Sequence, residues 1–294
     1  MKIAVTGTKG QVALALIERA RALPHVEVFT LGRPEFDLAR PETIWPALSS
    51  LRPQLVVSAA AYTAVDQAER EPPLAYGINA TGAGAVAEAA ARLGVPIIHL
   101  STDYVFDGKK QGGYRETDAP APLNVYGASK LAGEIAVAAA SPRHLILRTS
   151  WVYSPFGTNF VKTMLRLASA RQEIAVVADQ RGNPSSALDI ADAILSAAVT
   201  IGEGGAYGTY HLAGSGTTSW ADFARQVFSS SRALGGPWAE VRDITTAEFP
   251  VQAPRPLNTQ LSTAKFASAF GWTMPQWSRS LDEVVGRILQ DAAG

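Results

Sequence analysis

The sequence lacks cysteine: none of its 294 residues is one. Disulfide bonds and thiolate metal sites are therefore excluded. It also lacks a charge bias, since 26 lysine and arginine residues balance 26 aspartate and glutamate residues, and nothing indicates a nucleic-acid or anionic-membrane partner. No apolar run approaches membrane-spanning length, and the first residues do not form the long apolar stretch of a signal peptide. We therefore expect a cytoplasmic protein with no membrane or nucleic-acid partner.

What the sequence does contain, at its start, is a glycine turn between a strand pattern and a helix pattern. Residues 3–6 form a short β-branched apolar run, typical of a buried parallel strand. Residues 7–13 have the spacing GxxGxxA and lead into a helical pattern. Gly7 permits a tight turn, and Gly10 lets the backbone approach a pyrophosphate at the helix N-terminus. This context predicts a dinucleotide-binding fold, with an ordinary glycine turn as the alternative.

The turn after the second predicted strand, residues 26–31, bears on the choice of cofactor. A site for NAD usually carries an acidic residue here, for the ribose 2′-hydroxyl. This chain has Arg33 instead, which either accepts the 2′-phosphate of NADP or is a solvated loop residue. We expect NADPH or NADH as the cofactor, with Arg33 favouring NADPH.

Small residues follow the third predicted strand, residues 55–58. Ala59 and Ala61 come at the carboxyl end of this strand, where open parallel sheets bind ligands. They would let a flat ligand lie against the backbone, although tight packing alone also explains them.

A tyrosine followed four residues later by a lysine, Tyr126 and Lys130, forms a candidate catalytic pair. On a helix these positions share one face, so the phenol and the ammonium can address the same small volume. A nearby cation favours the phenolate, so we expect Lys130 to lower the pKa of Tyr126, which then acts as a general acid or base. Taken alone, such a pair also occurs on many solvated helices.

Polar residues end the strand predicted over residues 95–100. Thr102 and Asp103 are placed to hydrogen-bond a substrate carbonyl and hydroxyl, or else to cap a turn. His99 lies inside the strand, and we interpret it as a packed core residue and not as a catalyst.

The regular alternation of strand and helix patterns loosens beyond about residue 155. We therefore predict an α/β protein with a Rossmann-type doubly wound parallel sheet and a smaller C-terminal α/β substrate lobe. Residues 1–154 would mainly form the NAD(P)-binding domain. Residues 155–294 would mainly form the substrate-binding lobe, with the chain crossing back to the main sheet.

Taken together and in this order, the motifs resemble the extended short-chain dehydrogenase/reductase family, and within it the dTDP-4-dehydrorhamnose reductases. The likeness covers essentially the whole chain. It is carried by Gly10-Gln11-Val12, residues 59–66, residues 101–106, residues 123–127, residues 148–153, Asn159-Phe160, Arg255-Pro256 and Leu261.

The resemblance implies reduction of the C4 ketone of dTDP-4-dehydro-L-rhamnose, with a nucleotide sugar as substrate and no metal ligand. Tyr126 would be the catalytic acid, assisted by Thr102 and Lys130. The sugar would contact Thr102, Asp103 and Trp151. The cofactor would be bound by Gly7, Gly10, Gln11, Val12, Arg33, Asp37, Leu38, Ala59, Ala61, Tyr62, Thr63, Tyr126 and Lys130.

The sequence departs from the family pattern at a few positions. Ala13 replaces the third fingerprint glycine, and Tyr62 replaces a common histidine; both concern cofactor packing. Ala15 stands where some members carry a glutamate that binds Mg²⁺ at a dimer contact, which argues against a metal-bridged dimer; we expect a monomer or homodimer. The alternatives are another nucleotide-sugar enzyme, either an epimerase or a dehydratase, and a non-catalytic NADP-binding regulatory subunit.

Overall fold

The computed structural model describes residues 1–202 and 205–293, and its elements follow the sequence patterns closely. The strands are β1 Lys2–Thr6, β2 Glu27–Leu31, β3 Leu55–Ser58, β4 Ile97–Thr102, β5 His144–Thr149, β6 Val152–Tyr153, β7 Glu173–Val177, β8 Arg181–Gly182, β9 Ser185–Ser186, β10 Gly208–His211, β11 Thr218–Ser219 and β12 Glu240–Ile244. The α-helices are α1 Gln11–Ala20, α2 Ile44–Leu51, α3 Val65–Ala68, α4 Pro72–Tyr76, α5 Ala83–Arg92, α6 Val125–Ala140, α7 Phe160–Ala168, α8 Ala187–Gly202, α9 Trp220–Ala233, α10 Ala264–Phe270 and α11 Trp277–Ala293. Short 3₁₀ turns lie at Pro41–Thr43, Asp103–Val105 and Thr246–Glu248, and a π-helix at Gly77–Gly82.

A parallel sheet of six strands runs in the order β2-β1-β3-β4-β5-β10. Strands β3 and β4 are buried along their whole length, as expected where helices cover both faces. β1 pairs with β2 on one side and with β3 on the other, so the strand order reverses at β1. Ligands bind at the carboxyl ends of strands beside such a switch point. The predicted Rossmann-type doubly wound sheet is confirmed.

Successive residues of β1 face two separate hydrophobic cores. Ile3 and Val5 belong to a core that includes α1 and α8. Ala4, between them, belongs to a second core that includes α2 and α5. This alternation follows from the two-residue period of a strand. Because both faces of the sheet are covered, the ends of the strands are where a ligand can reach the backbone.

The second half of the chain adds short paired strands and then returns to the main sheet. β7 pairs with β12, β8 with β11, and β6 with β9. β10 joins the main sheet beside β5, and α8 packs against α1. The division into a cofactor domain of residues 1–154 and a substrate lobe of residues 155–294 stays a prediction. Among the described helices, none combines the length and the apolar character that crossing a bilayer requires.

Local geometry shapes the ends of several elements. Ser219 caps α9, and its hydroxyl accepts a backbone N–H at 3.0 Å. Helix α5 begins at Ala83, because Gly77–Gly82 forms a π-helix before it. The turn at residues 180–184 contains the two-residue strand β8.

Candidate active site

The glycine turn after β1 adopts the conformation that the sequence predicts. Gly7 has φ +93°, and a Cβ on it would lie 3.3 Å from the Cβ of Ala60. The hydroxyl of Thr6 accepts the N–H of Ala59 at 3.0 Å and that of Ala60 at 2.9 Å, which ties the ends of β1 and β3 together. Gly10 precedes α1 with no side-chain cap. The first N–H groups of α1 are therefore available to an anionic ligand.

This turn opens onto a cleft of about 880 Å³ at the carboxyl ends of β1 to β4. The volume lies within the range typical of ligand and cofactor pockets. Every residue that the sequence assigned to cofactor binding lines this cleft. They are Gly7, Gly10, Gln11, Val12, Arg33, Asp37, Leu38, Ala59, Ala61, Tyr62, Thr63, Tyr126 and Lys130. The fold brings these residues together, while the part of the cofactor that each one contacts stays a prediction.

The side chain of Gln11 is held by the second half of the chain. Its Oε1 accepts from Ser154 at 2.7 Å and from Asn159 at 3.0 Å, and its Nε2 donates to the carbonyl oxygen of Val152 at 3.3 Å. Because both ends of the carboxamide are engaged, Gln11 can offer its backbone N–H to a ligand more readily than its side chain.

Beyond the end of β2, the side chains of Arg33 and Asp37 differ in how far hydrogen bonds and ion pairs restrain them. Arg33 is exposed and lines the cleft. Asp37 accepts the N–H of Ala39 at 3.0 Å and lies 3.5 Å from the guanidinium of Arg40. A guanidinium in the position of Arg33 can approach a phosphate from solvent, whereas the carboxylate of Asp37 already stabilises its own turn.

Asn79, in the π-helix, joins one wall of the cleft to α6. Its Oδ1 accepts the N–H of Tyr62 at 2.7 Å, and its Nδ2 donates to the Tyr62 carbonyl at 3.0 Å and to the hydroxyl of Ser129 at 2.9 Å. The phenol of Tyr62 donates to Glu71 at 2.6 Å. The sequence analysis missed Asn79, because no local pattern marks a polar residue that acts across the fold.

Helix α6 places Tyr126 by close backbone packing. Asn124 caps the helix and accepts the N–H of Gly127 at 2.8 Å. A Cβ on Gly127 would lie 2.2 Å from the carbonyl oxygen of Tyr104, so glycine is required there. The ring of Tyr126 meets that of Tyr104 edge to face, with 5.9 Å between centroids.

The electrostatics of the catalytic pair differ from the sequence prediction. Burial raises the pKa of Tyr126 to about 12; the Thr102 hydroxyl opposes this shift and the charge of Asp103 adds to it. Burial lowers the pKa of Lys130 to about 8, against the opposing charge of Glu134. The prediction that Lys130 lowers the pKa of Tyr126 is wrong for this structure, because desolvation of the phenol dominates. Tyr126 therefore keeps its proton at neutral pH, which suits a general acid.

Thr102 and Asp103 are buried beside this pair and do not line the cleft. The Thr102 hydroxyl donates to Asp103 Oδ1 at 3.0 Å and accepts the N–H of Tyr104 at 3.2 Å, so it also caps the turn after β4. Asp103 Oδ2 has no hydrogen-bond partner among the described residues. Burial raises the pKa of Asp103 to about 7, with the hydroxyls of Thr259 and Thr102 opposing the shift. Because this buried oxygen has no partner among the described residues, it can accept a hydrogen bond from a polar ligand.

Trp151 reaches the same edge of the sheet from β5, which neighbours β4. Its backbone is left-handed, with φ 47°, a conformation that a bulky residue rarely adopts. The indole stacks on that of Trp220 at 3.6 Å between centroids, and a Cβ on Gly182 would lie 2.5 Å from its Cε2. The ring is thus confined between Trp220 and Gly182.

A buried ion pair lies beneath the site, and the sequence analysis missed it. Glu134 accepts two hydrogen bonds from Arg148, at 2.9 and 2.6 Å, and one from Ser101 at 2.5 Å. Glu134 lies four residues after Lys130 on α6, and this spacing is the one signal that could have pointed to it.

Comparisons with known proteins agree with this geometry. A family model described as the RmlD substrate binding domain matches residues 1–290. The chain belongs to the RmlD family. A relative in this family, the dTDP-4-dehydrorhamnose reductase of Sinorhizobium fredii, is 51% identical over 292 residues, which cover 98% of each chain. The dTDP-4-dehydrorhamnose reductase of Escherichia coli is 42% identical over 298 residues, which cover 100% of each chain.

Solved structures of dTDP-4-dehydrorhamnose reductases share the fold along nearly the whole chain. The dTDP-4-dehydrorhamnose reductase of Bacillus anthracis, crystallised in complex with NADP, has a TM-score of 0.90 and 37% identity, covering 96% of this chain and 98% of its own. A dTDP-4-dehydrorhamnose reductase of Clostridium acetobutylicum has a TM-score of 0.92 and 36% identity, covering 99% of this chain and 100% of its own. The resemblance inferred from the motifs is confirmed.

Proposed function

We propose that this RmlD-family chain uses NADPH or NADH to reduce the C4 ketone of dTDP-4-dehydro-L-rhamnose, giving dTDP-L-rhamnose. Support comes from 51% identity, over 98% of the chain, to a dTDP-4-dehydrorhamnose reductase. One structural observation carries the proposal. Tyr126, a phenol that holds its proton at neutral pH, lines the cleft that gathers the predicted cofactor residues. Reduction of a ketone needs such an acid beside the cofactor.

The residues of the cleft fit a nicotinamide dinucleotide. The N-terminus of α1 has no side-chain cap, and among the described residues no atom beyond its chain neighbours lies within 4 Å of the position that a Cβ on Gly10 would take. A diphosphate can therefore approach the backbone of Gly10, Gln11 and Val12. Asp37 and Leu38 would hold the adenosine end.

The remaining proposals concern residues 61–63 and the division of the chain between cofactor and substrate. Ala61, Tyr62 and Thr63 would lie along the cofactor towards the nicotinamide. In this arrangement residues 1–154 mainly hold the cofactor. Residues 155–294 mainly form the lobe that binds the nucleotide sugar.

The reaction needs a proton at the oxygen of the ketone as a hydride reaches its carbon. A bound reduced nicotinamide supplies the hydride. Tyr126 donates its phenolic proton to the developing alkoxide, and its high pKa keeps that proton in place until then. Thr102, whose hydroxyl hydrogen is directed at Asp103 in this structure, would turn it towards the same oxygen. Lys130 holds the nicotinamide ribose, while Asp103 and Trp151 contact the deoxysugar.

A single substitution tests the proposed acid. Tyr126→Phe should bind NADPH as before, measured by fluorescence titration, and lose about 10²–10⁴-fold in turnover of the keto-sugar. Tyr104→Phe is the matched control, because it removes a neighbouring phenol and keeps the ring contact with Tyr126. Unchanged turnover in Tyr126→Phe would remove the proposed acid.

Arg33 supports a preference for NADPH, because an exposed guanidinium at the cleft can pair with a 2′-phosphate. Arg33→Ala should therefore raise the KM for NADPH and leave the KM for NADH unchanged. An equal rise in both KM values would contradict this assignment.

The same assays separate the alternatives. A dehydratase needs a second acid–base group next to Asp103, and that place is taken by Tyr104. Burial and the charge of Asp103 raise the pKa of the Tyr104 phenol, so it stays protonated at neutral pH and is not available as a base. Co-purification with a partner, and no oxidation of NADPH or NADH with any keto-sugar, would favour a regulatory subunit.

A further inference from the structure

The ammonium of Lys130 has two hydrogen-bond acceptors inside the protein. Lys130 is 2% exposed, and its Nζ donates to the carbonyl oxygen of Leu100 at 2.6 Å. The same Nζ lies 3.4 Å from Nε2 of His99. Because an ammonium has three hydrogens to donate, these contacts leave one hydrogen for a ligand in the cleft that Lys130 lines.

His99 can accept a hydrogen from Lys130 in only one of its forms. Its side chain is enclosed in the sheet, and burial, with the charge of Lys130, lowers its pKa well below 6.5. A neutral imidazole has one N–H and one acceptor nitrogen. Since Nε2 faces the ammonium, the hydrogen belongs on Nδ1, which lies 3.1 Å from Oγ of Ser58. The structure thus defines a directed chain from Lys130 through His99 to Ser58.

The strands fix this chain of contacts. His99 and Ser58 are direct partners in the register of β3 and β4. Glu134 on α6, whose charge acts on Lys130, is paired with the guanidinium of Arg148 on β5 at 2.6 Å. Burial lowers the pKa of Lys130 in spite of the charge of Glu134. Two neutral acceptors, the Leu100 carbonyl and His99, therefore hold the ammonium, and His99 is the one of them that is a side chain.

We propose that His99, as the Nδ1–H tautomer, positions Lys130 by accepting one ammonium hydrogen, while Ser58 holds the imidazole in turn. This inference rests on the proposed function, in which Lys130 holds the nicotinamide ribose. His99 does not line the cleft and acts through Lys130 alone. Without it, a buried N–H of the ammonium has no partner, so Lys130 gives up its proton at a lower pH.

The affinity for NADPH, measured by fluorescence between about pH 6 and about pH 10, tests the inference. Affinity should fall as Lys130 loses its proton, near pH 8 in the unsubstituted chain. His99→Leu removes the acceptor and should move this midpoint down by about one pH unit, the size of a lost hydrogen bond to a charge. His99→Gln, whose carboxamide oxygen can accept, should restore most of the shift.

The matched control is His144→Gln at the other end of the sheet, where Nδ1 contacts the Ser141 carbonyl at 2.6 Å. It should leave the midpoint unchanged. An unmoved midpoint in His99→Leu, or an equal shift in the control, would overturn the inference.

Nitrogen-15 NMR of the unsubstituted protein gives a readout that does not depend on any His99 variant folding. The Nδ1–H tautomer is expected for His99, and the Nε2–H tautomer would overturn the inference. Ser58→Ala should shift the population towards Nε2–H. If the chain reduces the keto-sugar but His99 is the Nε2–H tautomer, only this inference fails. If the tautomer and the midpoint are as expected without turnover of the keto-sugar, only the proposed substrate fails.

Discussion

Replacing Gly127 with alanine tests whether backbone packing sets the position of Tyr126. The added Cβ would lie 2.2 Å from the carbonyl oxygen of Tyr104 and 3.1 Å from the Cβ of Pro122. Neither neighbour is the flexible end of a side chain. Ordinary contact begins near 3.4 Å, so the first turn of α6 must move by roughly 1 Å, since a packed interior has no room to absorb the methyl group.

A shift of that size is large on the scale of catalysis. Misplacing a reacting group by about 1 Å costs about 100-fold in rate. Tyr126 is the residue before Gly127, so we expect kcat to fall by about that factor. Overpacking also lowers the free energy of unfolding by about 1–3 kcal/mol, which in a chain of this size lowers Tm by several degrees.

The assay follows oxidation of NADPH by the keto-sugar, with the Kd for NADPH and the free energy of unfolding measured in parallel. Gly77→Ala is the matched control, because among the described residues no atom outside its own helix and chain neighbours lies within 4 Å of the position of its Cβ. It should keep kcat and should not lower the free energy of unfolding, because Gly77 is helical and alanine favours a helix more than glycine does. If Gly127→Ala also keeps both, the contact with Tyr104 does not position the catalytic residue, and the reasoning is refuted.

Further predictions concern the groups around the site. The pKa of Lys130 falls from 10.5 to about 8 on folding. Between these two pH values the unfolded chain binds more protons than the folded one, so the free energy of unfolding should rise with pH. Urea titrations should show this rise in the unsubstituted chain and not in Lys130→Met. Glu134→Gln leaves Arg148 buried without its carboxylate and should cost about 3–5 kcal/mol in the free energy of unfolding; a loss below about 1 kcal/mol would match an exposed ion pair instead. Gly182→Ala should displace the Trp151 indole, raise the KM for the sugar and change tryptophan emission; an altered Kd for NADPH would contradict a role confined to the sugar.

The residues around the cleft could be placed from the sequence because their positions follow from local pattern and topology. Gly7 and Gly10 stand in a strand, turn and helix sequence that is recognisable within a dozen residues. Ala59 and Ala61 follow a strand, and parallel strands present their carboxyl ends at one edge. Positions in sequence therefore translate directly into positions around the cleft.

The electrostatics could not be predicted in the same way. The spacing of Tyr126 and Lys130 predicted that both side chains reach one small volume, and both line the cleft. The spacing could not show which groups hydrogen-bond the ammonium of Lys130. Its partners, the Leu100 carbonyl and His99, lie on β4, about 30 residues earlier in the chain. The pKa of a buried group depends on such partners and on its desolvation, and neither can be read from a pattern on one helix.

Asn79 shows how the segment around Tyr62 and helix α6 are held in a fixed position relative to each other. A π-helix inserts one extra residue into a helical turn and so changes the direction of the side chains that follow. Here it lets one carboxamide bind the backbone of Tyr62 and the hydroxyl of Ser129 together. A Cβ on Gly133 would lie 2.0 Å from the carbonyl oxygen of Asn79, so α6 packs directly on the π-helix backbone. The π-helix therefore fixes the position of Tyr62 relative to α6, the helix that carries Tyr126. Neither the glycine turn nor the Tyr126–Lys130 pair could fix that position by itself.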